Sequence, residues 1–360
     1  MLRRKVFSAI SWRAETRASS LPPRQGQRLR DRCGRMMAWA RAHDSLPDID
    51  HRAAILCFHN VVDHQPDGEA EREVLHLSQF RLLLRILKRS FNVISLADLV
   101  AAIRDGEPIP PRAMVITFDD GYATNHTVAG PVLADLNMPW SAFLPAMLVE
   151  TAGRQWIDDL YLLIYRGSRR RIEFCWDGHT CEFDLDTPLR REGAVFAIRE
   201  ACRYLPESVR QARIQRVFDL YSHDELESLR ARFPSFAPLT WDQARQLKAA
   251  GVDVGSHGLS HIALGPQGPE VIRHELTTAR ALLKQHLGDH SPHFSYPYGR
   301  RAGFSQETER QIIEMGYHCA LTLEQNAIDC RGQNLMQLPR LIVSPLVGRV
   351  LFGLWQRFIR

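Results

Sequence analysis

The stretch Val115-Ile-Thr-Phe-Asp-Asp-Gly-Tyr122 joins an apolar run to two adjacent carboxylates. The complete run, residues 113–118, has the unbroken apolar character of a strand buried on both faces, as in a parallel sheet. Carboxylates this close raise each other's cost of ionisation, and a cation bound to one of them would relieve the conflict. The stretch therefore predicts a buried strand with a charged site at its carboxyl end.

Seven further short apolar runs follow the same pattern, and amphipathic helix patterns lie between them. The runs are residues 54–58, 92–95, 141–146, 252–255, 294–296, 319–323 and 338–343. In the helix pattern over 269–287, apolar residues recur at helical spacing and form one stripe. Strands that alternate with helices predict a parallel sheet, and seven or eight such units predict a distorted (β/α) barrel of the α/β class.

Three segments depart from this rhythm. Residues 1–50 are rich in arginine and are expected to form a loosely ordered basic arm. The barrel is predicted over 51–345, interrupted at about 153–238 by a hairpin and charged helices without a barrel strand. Residues 346–360 have the pattern of an amphipathic helix. The position of the insertion suggests substrate selection or a lid.

The net charge of +5 belongs to the basic arm, where residues 1–47 carry eleven basic and three acidic side chains. The remainder of the chain gives no electrostatic reason to expect nucleic acid as a partner.

Seven scattered cysteines favour reduced thiols and a cytoplasmic location. No apolar stretch is long enough to cross a bilayer, and the first residues lack the apolar core of a secretory signal. The arm and the terminal helix leave peripheral contact with the inner face of the membrane open.

Two other predicted strand ends carry polar residues suited to chemistry. In Val252-Asp-Val-Gly-Ser-His-Gly-Leu-Ser-His261, the two histidines are four residues apart, so a tight turn would let both imidazoles reach one ion. Phe294-Ser-Tyr-Pro-Tyr-Gly299 ends in a turn that can present backbone N–H groups. The alternative is structural: the aspartates would cap a turn or helix, and the histidines would lie on the surface.

Taken together, the three segments resemble the first three motifs of the polysaccharide deacetylases, which form carbohydrate esterase family 4 and share the NodB homology domain. The matching residues are Thr117-Phe-Asp-Asp-Gly121, Ser256-His-Gly-Leu-Ser-His261 and Tyr296-Pro-Tyr-Gly299. The resemblance covers roughly residues 55–343 without the insertion. It implies a NodB-like barrel that hydrolyses acetyl groups of N-acetylglucosamine polymers or of xylan.

The resemblance also implies roles for individual residues. Asp120, His257 and His261 would hold a divalent metal ion, usually zinc in this family, and Asp119 would be the general base. Three protein ligands leave a coordination position open, and a metal ion lowers the pKa of water toward neutrality. The backbone N–H of Tyr298 would help to stabilise the oxyanion formed from the acetyl carbonyl.

The sequence departs from the family pattern in two places. Many members have an arginine before the Pro-Tyr of the third motif, where this chain has Ser295-Tyr296, and many have a C-terminal Leu-x-His that supplies a general acid. The stretch Ile55-Leu-Cys-Phe-His-Asn-Val61 is instead similar to the first strand of the exopolysaccharide deacetylase branch. His59 is therefore the candidate general acid, although a structural histidine is an equal alternative. Arg340 would orient Asp119 or pair with another carboxylate in the barrel mouth.

Four functions are consistent with these residues. The first is a metal-dependent hydrolase that removes N-acetyl groups from a sugar polymer or glycan precursor. The second is an O-deacetylase or deformylase of a related carbohydrate, and the third is a non-catalytic glycan-binding barrel. A non-haem iron oxygenase also uses two histidines and a carboxylate, but it leaves the second aspartate without a role. Trp156 opens the insertion and is expected to anchor it in the core rather than face the substrate.

Overall fold

The computed structural model describes residues 51–345 except residues 72, 151–153 and 327, so the predicted arm and terminal helix lie outside the described residues. The strands are β1 (Arg52–Phe58), β2 (Val61–Val62), β3 (Leu75–His76), β4 (Asn92–Val93), β5 (Ala113–Phe118), β6 (Ser141–Leu144), β7 (Arg171–Trp176), β8 (His179–Asp184), β9 (Asp253–Ser256), β10 (His293–Ser295), β11 (Cys319–Leu321), β12 (Ile328–Asp329) and β13 (Leu341–Ile342).

The α-helices of the described residues lie mainly between these strands. They are α1 (Leu77–Ser90), α2 (Leu96–Asp105), α3 (Gly130–Asp135), α4 (Trp156–Arg166), α5 (Pro188–Cys202), α6 (Glu207–Phe218), α7 (His223–Arg232), α8 (Trp241–Ala249), α9 (Pro269–Leu287) and α10 (Gln306–Glu314). None of the helices in this part of the chain is both long enough and apolar enough to span a bilayer.

The main sheet has the strand order β11-β10-β9-β6-β5-β1, and each neighbouring pair in that order is parallel. Strand β13 runs parallel to β1, and a bridge between Leu321 and Leu338 joins β11 to the segment before β13. The sheet thus curls back on itself, and helices cover its outer face. All eight predicted strands are present, which confirms the distorted α/β barrel.

Burial on both faces explains why β1 and β5 lie at the centre of the sheet. Ile55 and Val115 pack into one apolar cluster, whereas Leu56 and Ile116 pack into the other. All four are at most 1% exposed. Full burial of such a side chain contributes about 1.5–3 kcal/mol, which outweighs the weak helix propensity of a six-residue run. The polar residues that follow these strands are thereby held at a rigid edge.

The insertion forms a layer beside the barrel mouth. Its hairpin of β7 and β8 turns at Asp177 and Gly178, which have φ of 51° and 81°, as a two-residue hairpin turn of the primed type requires. Across the hairpin Cys175 faces Thr180 and Cys181 faces Phe174, so the two cysteines are not cross-strand partners. Both thiols are free.

A separate apolar cluster fills the insertion and extends to the barrel. Its members include Leu160 and Leu163 of α4, Ile198 of α5 and Val217 of α6, together with Tyr122 from the loop after β5. The chain returns to the barrel by pairing Pro238 with Tyr122. The insertion is therefore packed against the loop that carries the aspartate pair.

Candidate active site

The predicted site residues all lie at one end of the barrel, which is the end where active sites of such barrels occur. Asp119 and Asp120 follow β5, and His257 and His261 belong to a tight loop after β9. His59 follows β1, Tyr298 follows β10, and Arg340 immediately precedes β13. The common strand direction therefore brings residues from His59 to Tyr298 to one edge, and the long side chain of Arg340 reaches Asp119 from the start of β13.

Asp120 lies against both histidines of the second motif. Its Oδ1 atom is 3.5 Å from His257 Nε2 and 3.2 Å from His261 Nε2. Asp120 and His261 have positive φ values of 74° and 58°, which are uncommon for residues with a side chain and concentrate at functional sites. Burial raises the pKa of Asp120, but the neighbouring imidazoles outweigh burial and hold it well below its usual value.

Hydrogen bonds fix the orientation of this loop. His257 Nδ1 donates to the carbonyl oxygen of Ser295 at 2.7 Å, so Nδ1 carries a proton and Nε2 is the ring atom directed toward Asp120. Glu275 of α9 accepts from the backbone N–H groups of Leu259 and Ser260 at 3.0 and 3.1 Å and from the Ser260 hydroxyl. The buried carboxylate of Glu275 thus fixes the conformation of the loop.

The spacing of the three donor atoms fits a divalent metal ion. An ion with tetrahedral bonds of about 2.0–2.1 Å places two donors about 3.3–3.4 Å apart, close to the observed 3.5 and 3.2 Å. All three donor atoms lie within 4.8 Å of one another. One carboxylate and two imidazoles also match the donor set of catalytic zinc sites. Asp120, His257 and His261 are therefore the residues that could hold a metal ion.

Asp119 is directed away from this triad and into a buried ion pair. Arg340 Nη1 and Nη2 donate to its two carboxylate oxygens at 2.8 and 2.6 Å, and Ser295 Oγ donates to Oδ2 at 3.1 Å. Burial raises the pKa of Asp119, but Arg340 and then His257 outweigh it and bring the pKa to about 2. Asp119 is therefore ionised and fixed in orientation.

Arg340 is itself fully buried and fully bonded. Its Nε donates to the carbonyl of Thr322 at 3.1 Å, Nη1 also donates to Thr117 Oγ1 at 3.2 Å, and Nη2 to Ser295 Oγ at 2.8 Å. The small Ser295 side chain leaves the space that this guanidinium occupies. Arg340, just before β13, thus places its guanidinium beside the third motif. Many members of the family have an arginine within that motif instead.

His59 lies at the rim of the same site. Its Nε2 is 4.0 Å from Cys57 Sγ, and the Cys57 thiol donates to Asp119 Oδ2 at 3.5 Å. Donor atoms of the three side chains lie within 4.8 Å of one another. His59 is half-buried, whereas Cys57 and Asp119 are buried. The structure therefore brings the candidate acid next to the candidate base.

The insertion contributes two contacts that sequence reasoning missed. The Tyr122 hydroxyl donates to both oxygens of Asp158 at 3.2 and 3.1 Å. Trp156 Nε1 donates to the Tyr298 hydroxyl at 2.8 Å, and the Tyr298 ring lies 4.9 Å from that of His261. Trp156 is buried, as expected for an anchor, yet its contact is with the site. For Trp156 and Asp158, the only signal in the sequence was their place at the start of the insertion.

A sequence profile of the polysaccharide deacetylase family matches residues 192–320, a stretch that includes the second and third motifs. Over these residues the chain is similar to polysaccharide deacetylases. Matches to individual proteins agree with this likeness. Over 86 residues the chain is 33% identical to the poly-β-1,6-N-acetyl-D-glucosamine N-deacetylase of Escherichia coli K12, covering 23% of this chain and 12% of that protein. Over 115 residues it is 28% identical to YxkH of Bacillus subtilis strain 168, named as a polysaccharide deacetylase, covering 32% and 40%. The chain thus spans less than half of each relative.

Solved structures extend the likeness to most of the fold. The deacetylase PplD of Streptococcus pyogenes superposes with a TM-score of 0.55 at 16% identity, covering 86% of this chain and 99% of that one. IcaB of Ammonifex degensii superposes with a TM-score of 0.54 at 18% identity, covering 85% and 97%. At these identities the likeness establishes the fold alone.

Proposed function

We propose that this chain is a metal-dependent hydrolase that removes N-acetyl groups from an N-acetylated sugar polymer or glycan precursor. The observation that carries the proposal is the division of work between two adjacent carboxylates. Asp120 faces two imidazoles at 3.5 and 3.2 Å, whereas Asp119 is held by Arg340 and bonds to neither imidazole within 3.5 Å. A binding module would need no such division. The name of the Escherichia coli relative supports an acetylated glycan as the substrate.

Asp120, His257 and His261 would hold the metal ion, and zinc suits this donor set. A divalent ion there would supply positive charge that polarises the acetyl carbonyl and lowers the pKa of water. Asp119, fixed by Arg340, accepts the proton of the attacking water as general base. The backbone N–H of Tyr298 donates to the developing oxyanion. His59 protonates the leaving amine as general acid.

The test is metal analysis combined with acetate release from N-acetylglucosamine oligomers and from acetylated xylan. We expect Asp119→Asn to retain the metal and to lose acetate release, because only the base is removed. We expect His257→Ala to lose both. Asp135→Asn, an exposed aspartate on α3, is the control.

Each alternative predicts a different result in the same assays. Release from acetylated xylan alone would identify an O-deacetylase, and glycan binding without release of acetate or formate would identify a binding module. Full activity of Asp119→Asn would remove that residue from the role of base.

A further inference from the structure

A cleft next to Asp120 is built largely by the start of the insertion. It is lined by Asp120, Tyr122, Leu148, Gln155, Asp158 and Phe236, with Arg154 and Pro238 at its edge. Gln155 and Asp158 belong to the N-terminal turn of α4, whose first helical residue is Trp156. The barrel contributes one candidate metal ligand, and the insertion contributes the polar wall that faces it.

Two adjacent carboxylates on α4 have different surroundings. Asp159 forms a bidentate ion pair with Arg230 at 2.9 and 2.5 Å, which accounts for its burial. Asp158 is equally buried, at 3% exposed, but within the described residues it has no cation within 4.0 Å and accepts only the Tyr122 hydroxyl. Burial, together with the charges of Asp120 and Asp159, raises the pKa of Asp158 well above its usual value, and a protonated carboxyl can donate as well as accept a hydrogen bond. Its remaining lone pairs border the cleft.

Gln155 supplies the complementary donor. The side chain is only 6% exposed, and in the described part of the chain its Nε2 atom has no hydrogen-bond partner. Its backbone carbonyl caps α4 by accepting from the N–H groups of Asp158 and Asp159. A buried donor left unpaired costs about 1–3 kcal/mol, so such groups persist where a ligand satisfies them.

We propose that Gln155 and Asp158 bind hydroxyl groups of the sugar at the reacting position, which makes the start of the insertion part of the substrate-binding surface. This inference rests on the proposed function. A sugar hydroxyl both donates and accepts, so it matches an amide N–H beside a carboxylate oxygen. The cleft has room for a water-sized group, which is the size of a hydroxyl.

The test compares two substrates on the same protein sample. The quantity measured is the ratio of kcat/KM for an N-acetylglucosamine pentamer to kcat/KM for para-nitrophenyl acetate, which has no sugar hydroxyl. Loss of a hydrogen bond between neutral groups predicts that Asp158→Asn and Gln155→Ala each lower this ratio by up to about tenfold. Partial unfolding cancels in the ratio. Asp135→Asn and Gln246→Ala, which are exposed on α3 and α8, are expected to keep it.

An equilibrium measurement separates this inference from the proposed function. Calorimetric binding of β-1,4- and β-1,6-linked pentamers to Asp119→Asn protein should weaken by the same factors when Asp158→Asn or Gln155→Ala is added. A wild type that releases no acetate from any glycan would refute the proposed function, and pentamer binding would still decide the inference. Equal losses on both substrates, unchanged pentamer affinity in the variants, or no pentamer binding at all would overturn it.

Discussion

The buried ion pair between Arg340 and Asp119 gives the most quantitative prediction, through the substitution Arg340→Met. Methionine has a similar length and no charge, so the substitution leaves an ionised carboxylate without its cation. Charges about 4 Å apart interact by about 4 kcal/mol at the effective dielectric typical of proteins. Removal of one partner of a buried pair costs about 3–5 kcal/mol.

The structure places Arg340→Met at the upper end of that range. Beyond the pair, the variant loses donors to Thr322, Thr117 and Ser295, at distances of 3.1, 3.2 and 2.8 Å. We therefore expect the free energy of unfolding to fall by about 4–5 kcal/mol near neutral pH. Urea denaturation in the presence of a chelator measures it, because a bound cation would also compensate the carboxylate.

The loss of unfolding free energy caused by Arg340→Met depends on pH, and the structure gives the direction of that dependence. In the wild type the depressed pKa of about 2 means that Asp119 stabilises the fold above its unfolded pKa of about 3.9, and that this stability is lost as the pH falls through 2. Without Arg340, burial raises the pKa of Asp119, so the carboxyl is protonated at a higher pH. The difference between variant and wild type should therefore shrink on acidification.

A double-mutant cycle decides whether the ion pair is the cause. Arg340→Met combined with Asp119→Asn removes both charges, so the double variant should be no less stable than Arg340→Met alone. Arg245→Met is the control, because Arg245 pairs with Asp242 at the surface, where such a pair contributes about 0–1 kcal/mol. The reasoning is refuted if the two single costs add to within about 0.5 kcal/mol, since additivity indicates independent sites.

Two further predictions concern residues around the site. His59→Ala should lower kcat for an N-acetylated sugar by about 10²–10⁴-fold and affect an aryl acetate less, because a nitrophenolate leaves without protonation; steady-state kinetics with equal losses on both substrates would exclude the acid role. Glu275→Gln should weaken metal binding by about 10- to 100-fold, because the loop of His257 and His261 loses its charged acceptor, and competition with a chromophoric chelator measures it. An unchanged metal affinity would mean that the loop holds its shape without Glu275.

The barrel could be predicted because its determinants are local. Strand β5 is six consecutive buried residues, and α9 occupies residues 269–287, where the apolar stripe predicted it. The histidine pair was also found from local spacing. Such patterns survive in a single sequence because each element buries a continuous face, whatever its neighbours are.

The contacts within the site could be predicted only in part, because they depend on residues far apart in the chain. Arg340 meets Asp119 across 221 positions, and nothing near either residue distinguishes this partner from other carboxylates in the barrel mouth. Asp158 and Asp159 are adjacent and chemically identical, yet Arg230 pairs with only one of them. The difference arises from the packing of α4 against α7, which a single sequence does not encode locally.

The aspartate pair itself shows what the structure changes in the sequence argument. Two adjacent carboxylates at the end of a buried strand pointed to a cation that relieves their repulsion. Arg340 is such a cation, and it neutralises Asp119. The positive φ of Asp120 directs the second carboxylate toward the imidazoles instead. In the proposed mechanism Asp120 would hold a metal ion for the chemistry, whereas Asp119 does not need that ion for its burial. It follows that chelation should abolish acetate release while the barrel stays folded, because the charge that the core depends on is Arg340.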